Sequence, residues 1–376
     1  MRFLKSTNAI ESKVKNNLAP IWYSGLSLLA QRSGLAKAPI IYIGDTGWVL
    51  STIGQYLAQH INPKYVLYPA LNWRGLRYSL IHFGSAPSYF DNKAYLQVHP
   101  SNTQVVTWYH GQRSNPNPVF STRLDHAMEA SIYASKIIVK CQIGEETLCS
   151  EGVEKQKLVR IPEGVDTQLF HPPSEKERAR IRFELGIPDT ALCIGSFQKD
   201  GDGWDEGMSP KWVKGPEIFL QSVQQLSKDF ELCILLTGPA RGYVKAGLDK
   251  IGVPYRHVHV NEYKNMARYY WALDLYLITS RDEGGPMALL ESMASGVPVV
   301  STRVGMCADI LKKNDIGLLA DVDDVKGLVA GSGKLLQDTS LRRAMAEQAL
   351  LVTKDYDWSV IVERYNQEVY MPLLSH

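Results

Sequence analysis

The sequence predicts an α/β protein built as two doubly wound domains that face a cleft. Three observations carry this expectation. Short apolar runs alternate with helix-period segments, the pattern of a parallel sheet covered by helices. A segment with three prolines, Val159 to Pro173, breaks that rhythm once, after which it restarts. A chain of 376 residues is also more than one hydrophobic core comfortably organises.

Residues 1–37 read as an N-terminal extension. Its most apolar stretch, Leu18 to Ala30, contains Pro20, Gly25 and two serines. It falls short of the roughly 20 apolar residues that span a bilayer and lacks a signal-peptide cleavage site. The expectation there is a partly buried helix or turn. The first domain, 38–170, opens with Pro39 to Gly44 as a buried strand and Val49 to His60 as a helix. Further strands are expected at Tyr65–Pro69, Leu80–Gly84, Val105–Tyr109 and Lys136–Val139. A charged helix, Ser174 to Leu185, follows the domain boundary near Phe170. The second domain, 171–355, continues with a strand from Ala191 and strands at Leu232–Thr237, Leu275–Thr279 and Val297–Ser301. Helices are expected at Glu262–Leu273, Pro286–Ser295 and Thr339–Asp355, and a closing helical pattern occupies 356–376.

Bulk properties narrow the function classes. Hydrophobic residues at 45% and charged residues at 21% give ordinary globular composition, which argues against disorder. The five cysteines are scattered without the short spacings of a zinc or redox site, so they read as reduced thiols of a cytoplasmic protein. Residues 1–160 carry 17 Lys and Arg against 9 Asp and Glu, whereas 161–376 carry 24 against 30. A basic first half suits an anionic acceptor or an anionic membrane surface. It lacks the concentrated Arg/Lys stripe of a nucleic-acid binder.

The most informative stretch is Ser280 to Thr302, SRDEGGPMALLESMASGVPVVST. A strand delivers the chain to Asp282-Glu283, Gly284-Gly285-Pro286 opens a helix, and Gly296 stops it. Proline inside the start and glycine past the end follow the usual helix asymmetry. The two glycines allow a sharp turn and close approach to a ligand. The helix start offers free backbone N–H groups from Gly284 and Gly285 through Met287, Ala288 and Leu289, which suits a diphosphate. Glu291 lies about 1.4 turns, roughly 7.5 Å, beyond Pro286. Glu283 and Glu291 thus read as two acceptors for different hydroxylated parts of one ligand, with the diphosphate between them. Lys214, just before the helix start at Gly215-Pro216, is placed to neutralise that diphosphate.

EGGPMALLE followed by SGVPVVSTRVG closely resembles the donor-site signature of retaining glycosyltransferases of family 4. IPEGVDTQLFHP (161–172) resembles that family's inter-domain segment and DIGLLADVDD (315–324) its late loop. The resemblance runs from about residue 38 to the C-terminus. It implies the GT-B fold, with the final helix crossing back to the first domain. It implies that Glu283 contacts donor-sugar hydroxyls and Glu291 the ribose. Lys199 stands where the family has an arginine, which keeps the charge and loses bidentate geometry. The long intervening loop, Asp200 to Val213, makes Lys211 a further candidate. His110, at a strand end, falls where the family has a histidine near the reacting sugar, and Gly47 falls on the loop that reaches across the cleft.

The implied reaction moves a sugar from a nucleoside-diphosphate sugar to an acceptor hydroxyl with retention of configuration, in polysaccharide or glycolipid synthesis. The acceptor is a carbohydrate or a lipid-linked sugar. The catalytic set is His110, Lys199, Lys214 and Glu283. Lysines supply the positive charge, so neither metal nor cofactor is expected. Alternative readings are a nucleotide-sugar epimerase or phosphorylase on the same fold, or a non-catalytic binding subunit. A Trp22, Tyr23, Leu26 and Leu28 cluster adds an apolar element to a peripheral membrane contact.

Overall fold

The computed structural model describes residues 24, 38–44, 48–63, 65–70, 73–84 and 86–374. Gly47 and the Trp22, Tyr23, Leu26 and Leu28 cluster lie outside the described residues.

The first domain is a six-stranded parallel sheet in the order β2-β1-β3-β4-β5-β6. Its strands are β1 (Ala38–Ile43), β2 (Tyr65–Ala70), β3 (Leu80–Phe83), β4 (Thr103–Trp108), β5 (Lys136–Val139) and β6 (Leu158–Arg160). Helices α1 (Trp48–His60), α2 (Pro118–Tyr133) and α3 (Gln142–Ser150) cover it. Side chains alternate between the faces, so Ile41 and Ile43 join one core cluster while Ile40 and Tyr42 join the other. Both faces are therefore buried, which is why these strands read as continuous apolar runs. Strand β6 had no expectation in the sequence, because two of its three residues sit inside the proline-rich segment.

The second domain repeats the plan, with six parallel strands in the order β12-β11-β10-β7-β8-β9. These are β7 (Leu192–Phe197), β8 (Leu232–Thr237), β9 (Tyr255–Val258), β10 (Leu275–Ile278), β11 (Val299–Thr302) and β12 (Leu318–Ala320). Its helices are α4 (Glu175–Glu184), α5 (Pro216–Leu226), α6 (Gly242–Ile251), α7 (Ala267–Tyr270), α8 (Met287–Ala294), α9 (Gly305–Asn314), α10 (Val325–Gln337) and α11 (Thr339–Thr353). Strand order reverses between β7 and β10. The crevice beyond the carboxyl ends of those two strands is where open α/β sheets bind ligands.

Two helical expectations are corrected. The pattern Glu262–Leu273 forms a 3-10 turn, Tyr263–Asn265, and the four-residue α7. The hydroxyls of Tyr263 and Tyr270 reach one carboxylate, a tertiary constraint that periodicity does not carry. The closing pattern is α12 (Trp358–Tyr365), a π-helical turn at Asn366–Tyr370 and α13 (Met371–Leu374). This segment packs on the first domain. Trp358 stacks on Tyr56 with centroids 5.1 Å apart, and Tyr370 shares a 2.7 Å hydrogen bond with His82.

Candidate active site

Helix α8 is apolar around most of its circumference, with Leu289, Leu290, Met293 and Ala294 buried, so it is locked into the second domain. Its start is therefore fixed in place. Pro286 is the N-cap, with ψ of 109°, rather than the first helical residue. Gly296 has φ of +72° and ends the helix as expected, its amide donating to the Met293 carbonyl at 3.1 Å.

Gly284 and Gly285 are required for a different reason from the one the sequence suggested. Neither adopts a left-handed conformation. Instead the first domain presses against them. A Cβ on Gly284 would lie 1.7 Å from the Tyr109 carbonyl oxygen, and one on Gly285 would lie 2.7 Å from Glu163 Cγ. Glu163 is buried and pairs with buried Lys140 at 3.2 Å, and Lys140 donates to the Tyr365 hydroxyl at 2.9 Å. The glycine turn thus docks on an ion pair of the opposite domain, which was not legible in the sequence.

Beside this turn, no protein acceptor exists for the amides of Gly284, Gly285, Met287 and Ala288 among the described residues. Leu289 corrects the expectation, since its amide donates to the Pro286 carbonyl at 3.0 Å and its side chain is core. Four free N–H groups at a helix start make an anion-binding concavity.

The lysines converge on the same place. Lys214 ends a 3-10 turn, and Gly215 then takes φ of +56° to start α5. The Arg281 amide donates to the Val213 carbonyl at 2.9 Å and Thr279 Oγ1 to the Gly215 carbonyl at 3.0 Å, stitching this turn to the end of β10. Lys214 Nζ consequently donates to Glu283 Oε1, which also accepts from Ser280 Oγ at 2.9 Å. Lys199, beyond β7, holds its ammonium 3.9 Å from the centroid of Trp204. Burial lowers the pKa of Lys211, and the charges of Lys214 and Lys199 lower it further while Glu283 opposes them. Three lysines therefore share one field with the carboxylates of Glu283 and Asp202.

The loop between Lys199 and Lys214 is tightly anchored. Asp200 forms a buried pair with Arg241 at 3.0 Å, the Lys211 amide donates to the Asp200 carbonyl at 2.7 Å, and Gly242 N donates to the Glu206 carbonyl at 2.6 Å. Burial raises the Asp200 pKa to about 6 against the pull of Arg241.

Glu291 is only 5% exposed. Its two carboxylate oxygens accept from Tyr263 and Tyr270, each at 2.6 Å. Burial raises its pKa and the two tyrosine bonds work against that rise. The tyrosines orient the carboxylate, and each oxygen retains a further lone pair for a ligand hydroxyl. His110 Nδ1 lies 3.4 Å from Oδ2 of buried Asp282, across the cleft from its own domain. Neither the tyrosines nor Asp282 carried a sequence signal beyond proximity to the signature. Among the described residues, no group of three or more His, Cys, Asp or Glu side chains is placed to hold a metal ion. No helix among them is long and apolar enough to cross a membrane.

Residues 210–351 match the family model described as glycosyl transferases group 1. The matched stretch contains Lys211, Lys214, Glu283, the glycine turn and Glu291, and Lys199 lies eleven residues before it. The chain is 27% identical over 237 residues to D-inositol 3-phosphate glycosyltransferase of Corynebacterium urealyticum, covering 58% of this chain and 53% of that protein. It is 29% identical over 203 residues to the lipopolysaccharide core biosynthesis mannosyltransferase LpsB of Rhizobium meliloti, covering 51% and 54% respectively. The chain thus spans about half the length of the curated relatives it matches. Among solved structures, Anabaena HepE in complex with UDP-glucose aligns over 90% of this chain and 100% of that one, at a TM-score of 0.71 and 17% identity. At that identity the likeness concerns the fold, which is GT-B.

Proposed function

We propose that the chain transfers a sugar from a nucleoside-diphosphate sugar to an acceptor hydroxyl. The observation that carries this reading is Lys214 bonded to Glu283 next to four free backbone amides at the start of α8, with the charges of Lys199 and Lys211 close by. Bond breaking at the anomeric carbon leaves growing negative charge on the diphosphate, and preorganised cations and N–H dipoles stabilise that charge more than they stabilise the ground state. In this reading Lys214 leaves Glu283 for the phosphates, which frees Glu283 for the hydroxyls of the donor sugar. Glu291, held by its two tyrosines, accepts from the ribose.

Retention of configuration, by same-face attack assisted by the departing phosphate, rests on the resemblance to family 4. His110, oriented by Asp282, is assigned to the reacting sugar on the same ground. The UDP-glucose of HepE supports a nucleotide-sugar donor, and the names of the matched relatives support a carbohydrate acceptor, in polysaccharide or glycolipid synthesis. The protein's own cations serve the leaving group, so the reading calls for no metal. Incubating the protein with labelled nucleotide sugars and candidate acceptors tests it. Sugar leaving the nucleotide only when an acceptor is present supports a transferase, and acceptor-independent isomerisation supports an epimerase.

The basic excess of residues 1–160 supports an acceptor side that meets an anionic acceptor or the anionic cytoplasmic membrane face. Sedimentation with anionic vesicles at low and high salt tests this, and equal negligible binding to neutral and anionic vesicles at low salt would rule the membrane out.

A further inference from the structure

A cavity of about 780 Å³ opens between the two domains, behind the glycine turn. Its walls come from both domains: the residues following β5 and β6, the start and body of α9, and α12. Lys199, Lys214, Glu283 and Glu291 do not line it. It meets the donor region through Met306, whose amide donates to the Gly284 carbonyl at 2.8 Å, and through Lys140, whose Cβ lies 3.6 Å from where a Cβ on Gly285 would stand.

The charge on its walls is uneven. Arg160 and Arg364 face in from the first-domain side, and Arg303, Lys312 and Lys313 from the second. Lys140 closes the floor, but its ammonium is already held by Glu163 and Tyr365. Against these stand two lining carboxylates, Glu146 and Asp309, which accept from the side chain and the amide of Gln142 at 2.7 and 2.8 Å. The arginines do have acidic neighbours: Arg303 with Asp321 at 3.2 Å, Arg160 with Glu145 at 3.6 Å and Arg364 with Glu368 at 2.7 Å. The Arg303 pair is exposed and holds its guanidinium weakly, whereas Arg160 meets a mostly buried Glu145 and Arg364 also donates to the Arg160 carbonyl at 2.7 Å. Lys312 and Lys313 have no ion-pair partner among the described residues. Cations in the last turn suit a helix C-terminus, which explains two lysines on α9. It does not explain three arginines converging on the same space from other elements.

We propose that this cavity is a second anion site, which takes a small phosphorylated ligand and clamps the two domains together through it. The inference goes beyond the donor-site reading and does not depend on it. The volume lies within the range of about 300–1,000 Å³ typical of small-molecule sites. Like charges facing each other from two domains oppose closure, and a phosphate monoester or diphosphate between them removes that repulsion. Two sources have this chemistry, a soluble phosphorylated metabolite and the phosphate headgroup of a lipid.

Calorimetric titration of the full chain with inorganic pyrophosphate tests the proposal. Wild type should show two classes of site. Lys199→Ala/Lys214→Ala should remove one, and Lys312→Ala/Lys313→Ala should weaken the other at least tenfold at low salt. Both lysines of α9 are exposed, so the second variant keeps its fold. Sedimentation with vesicles containing phosphatidic acid separates the sources. Loss of vesicle binding in the α9 variant assigns a lipid headgroup, and unchanged vesicle binding a soluble ligand. Pyrophosphate affinity identical to wild type in the α9 variant would overturn the proposal. If the α9 variant alone loses binding, the donor-site reading fails and this one stands.

Discussion

The carbonyl oxygen of Tyr109, at the end of β4 in the first domain, lies 1.7 Å from where a Cβ on Gly284 of the second domain would stand. The donor turn and the opposite wall of the cleft are therefore in backbone contact at one point, with no room for any other residue.

Gly284→Ala should force the domains apart without unfolding either, because each has its own core. Transfer activity should fall at least tenfold, with an unchanged circular dichroism spectrum and a larger radius of gyration in solution scattering. Normal activity and normal scattering would show that the contact is dispensable.

Lys214→Ala should lower turnover on the order of a hundredfold, comparable to losing one preorganised oxyanion donor. The effect on donor affinity should be smaller, because charge on the diphosphate grows as the bond breaks. Turnover equal to wild type at saturating donor would remove Lys214 from the mechanism.

The two-domain plan was legible because parallel strands buried on both faces leave unbroken apolar runs, as at Leu232–Thr237. The donor signature was legible because local chain geometry sets it: Gly296 must take a positive φ and Glu291 rides on α8. What was not legible depends on contacts between distant segments. Tyr263 and Tyr270 meet Glu291 only after a tertiary turn breaks the helix they would otherwise share. Gly284 and Gly285 look like turn glycines in one dimension, and only the approach of Tyr109 and Glu163 reveals their steric role. Lys211 gains its place in the lysine cluster because the 200–213 loop folds back through Asp200.

Transfer activity should survive exhaustive chelation, since lysines and backbone dipoles supply the positive charge. Complete loss of activity in EDTA, restored by magnesium or manganese, would contradict that account of leaving-group stabilisation.

Asp200 gives a pH signature of the loop anchor. Its pKa is raised to about 6 in the fold, so between roughly pH 4 and 6 the folded state holds more protons than the unfolded chain. The stability contributed by the neutral form is complete below that window and is lost as pH rises through it. Asp200→Asn should flatten this part of the profile, and Arg241 keeps its bonds to the Ser196, Gln198 and Thr237 carbonyls. Urea midpoints measured from pH 4 to 7 check this. An equal slope in both proteins would show that Asp200 titrates normally.

The central claim is that a nucleoside diphosphate binds at the start of α8 with its ribose on Glu291. Isothermal titration of the full chain with uridine and guanosine diphosphates, for wild type and Glu291→Ala, tests it most directly. One of the nucleotides should bind wild type. The folded variant should bind it at least tenfold more weakly, because a charged hydrogen bond contributes about 1.5–3 kcal/mol. Equal affinity in the two proteins would contradict the ribose assignment, and failure of wild type to bind either nucleotide would contradict the donor site itself.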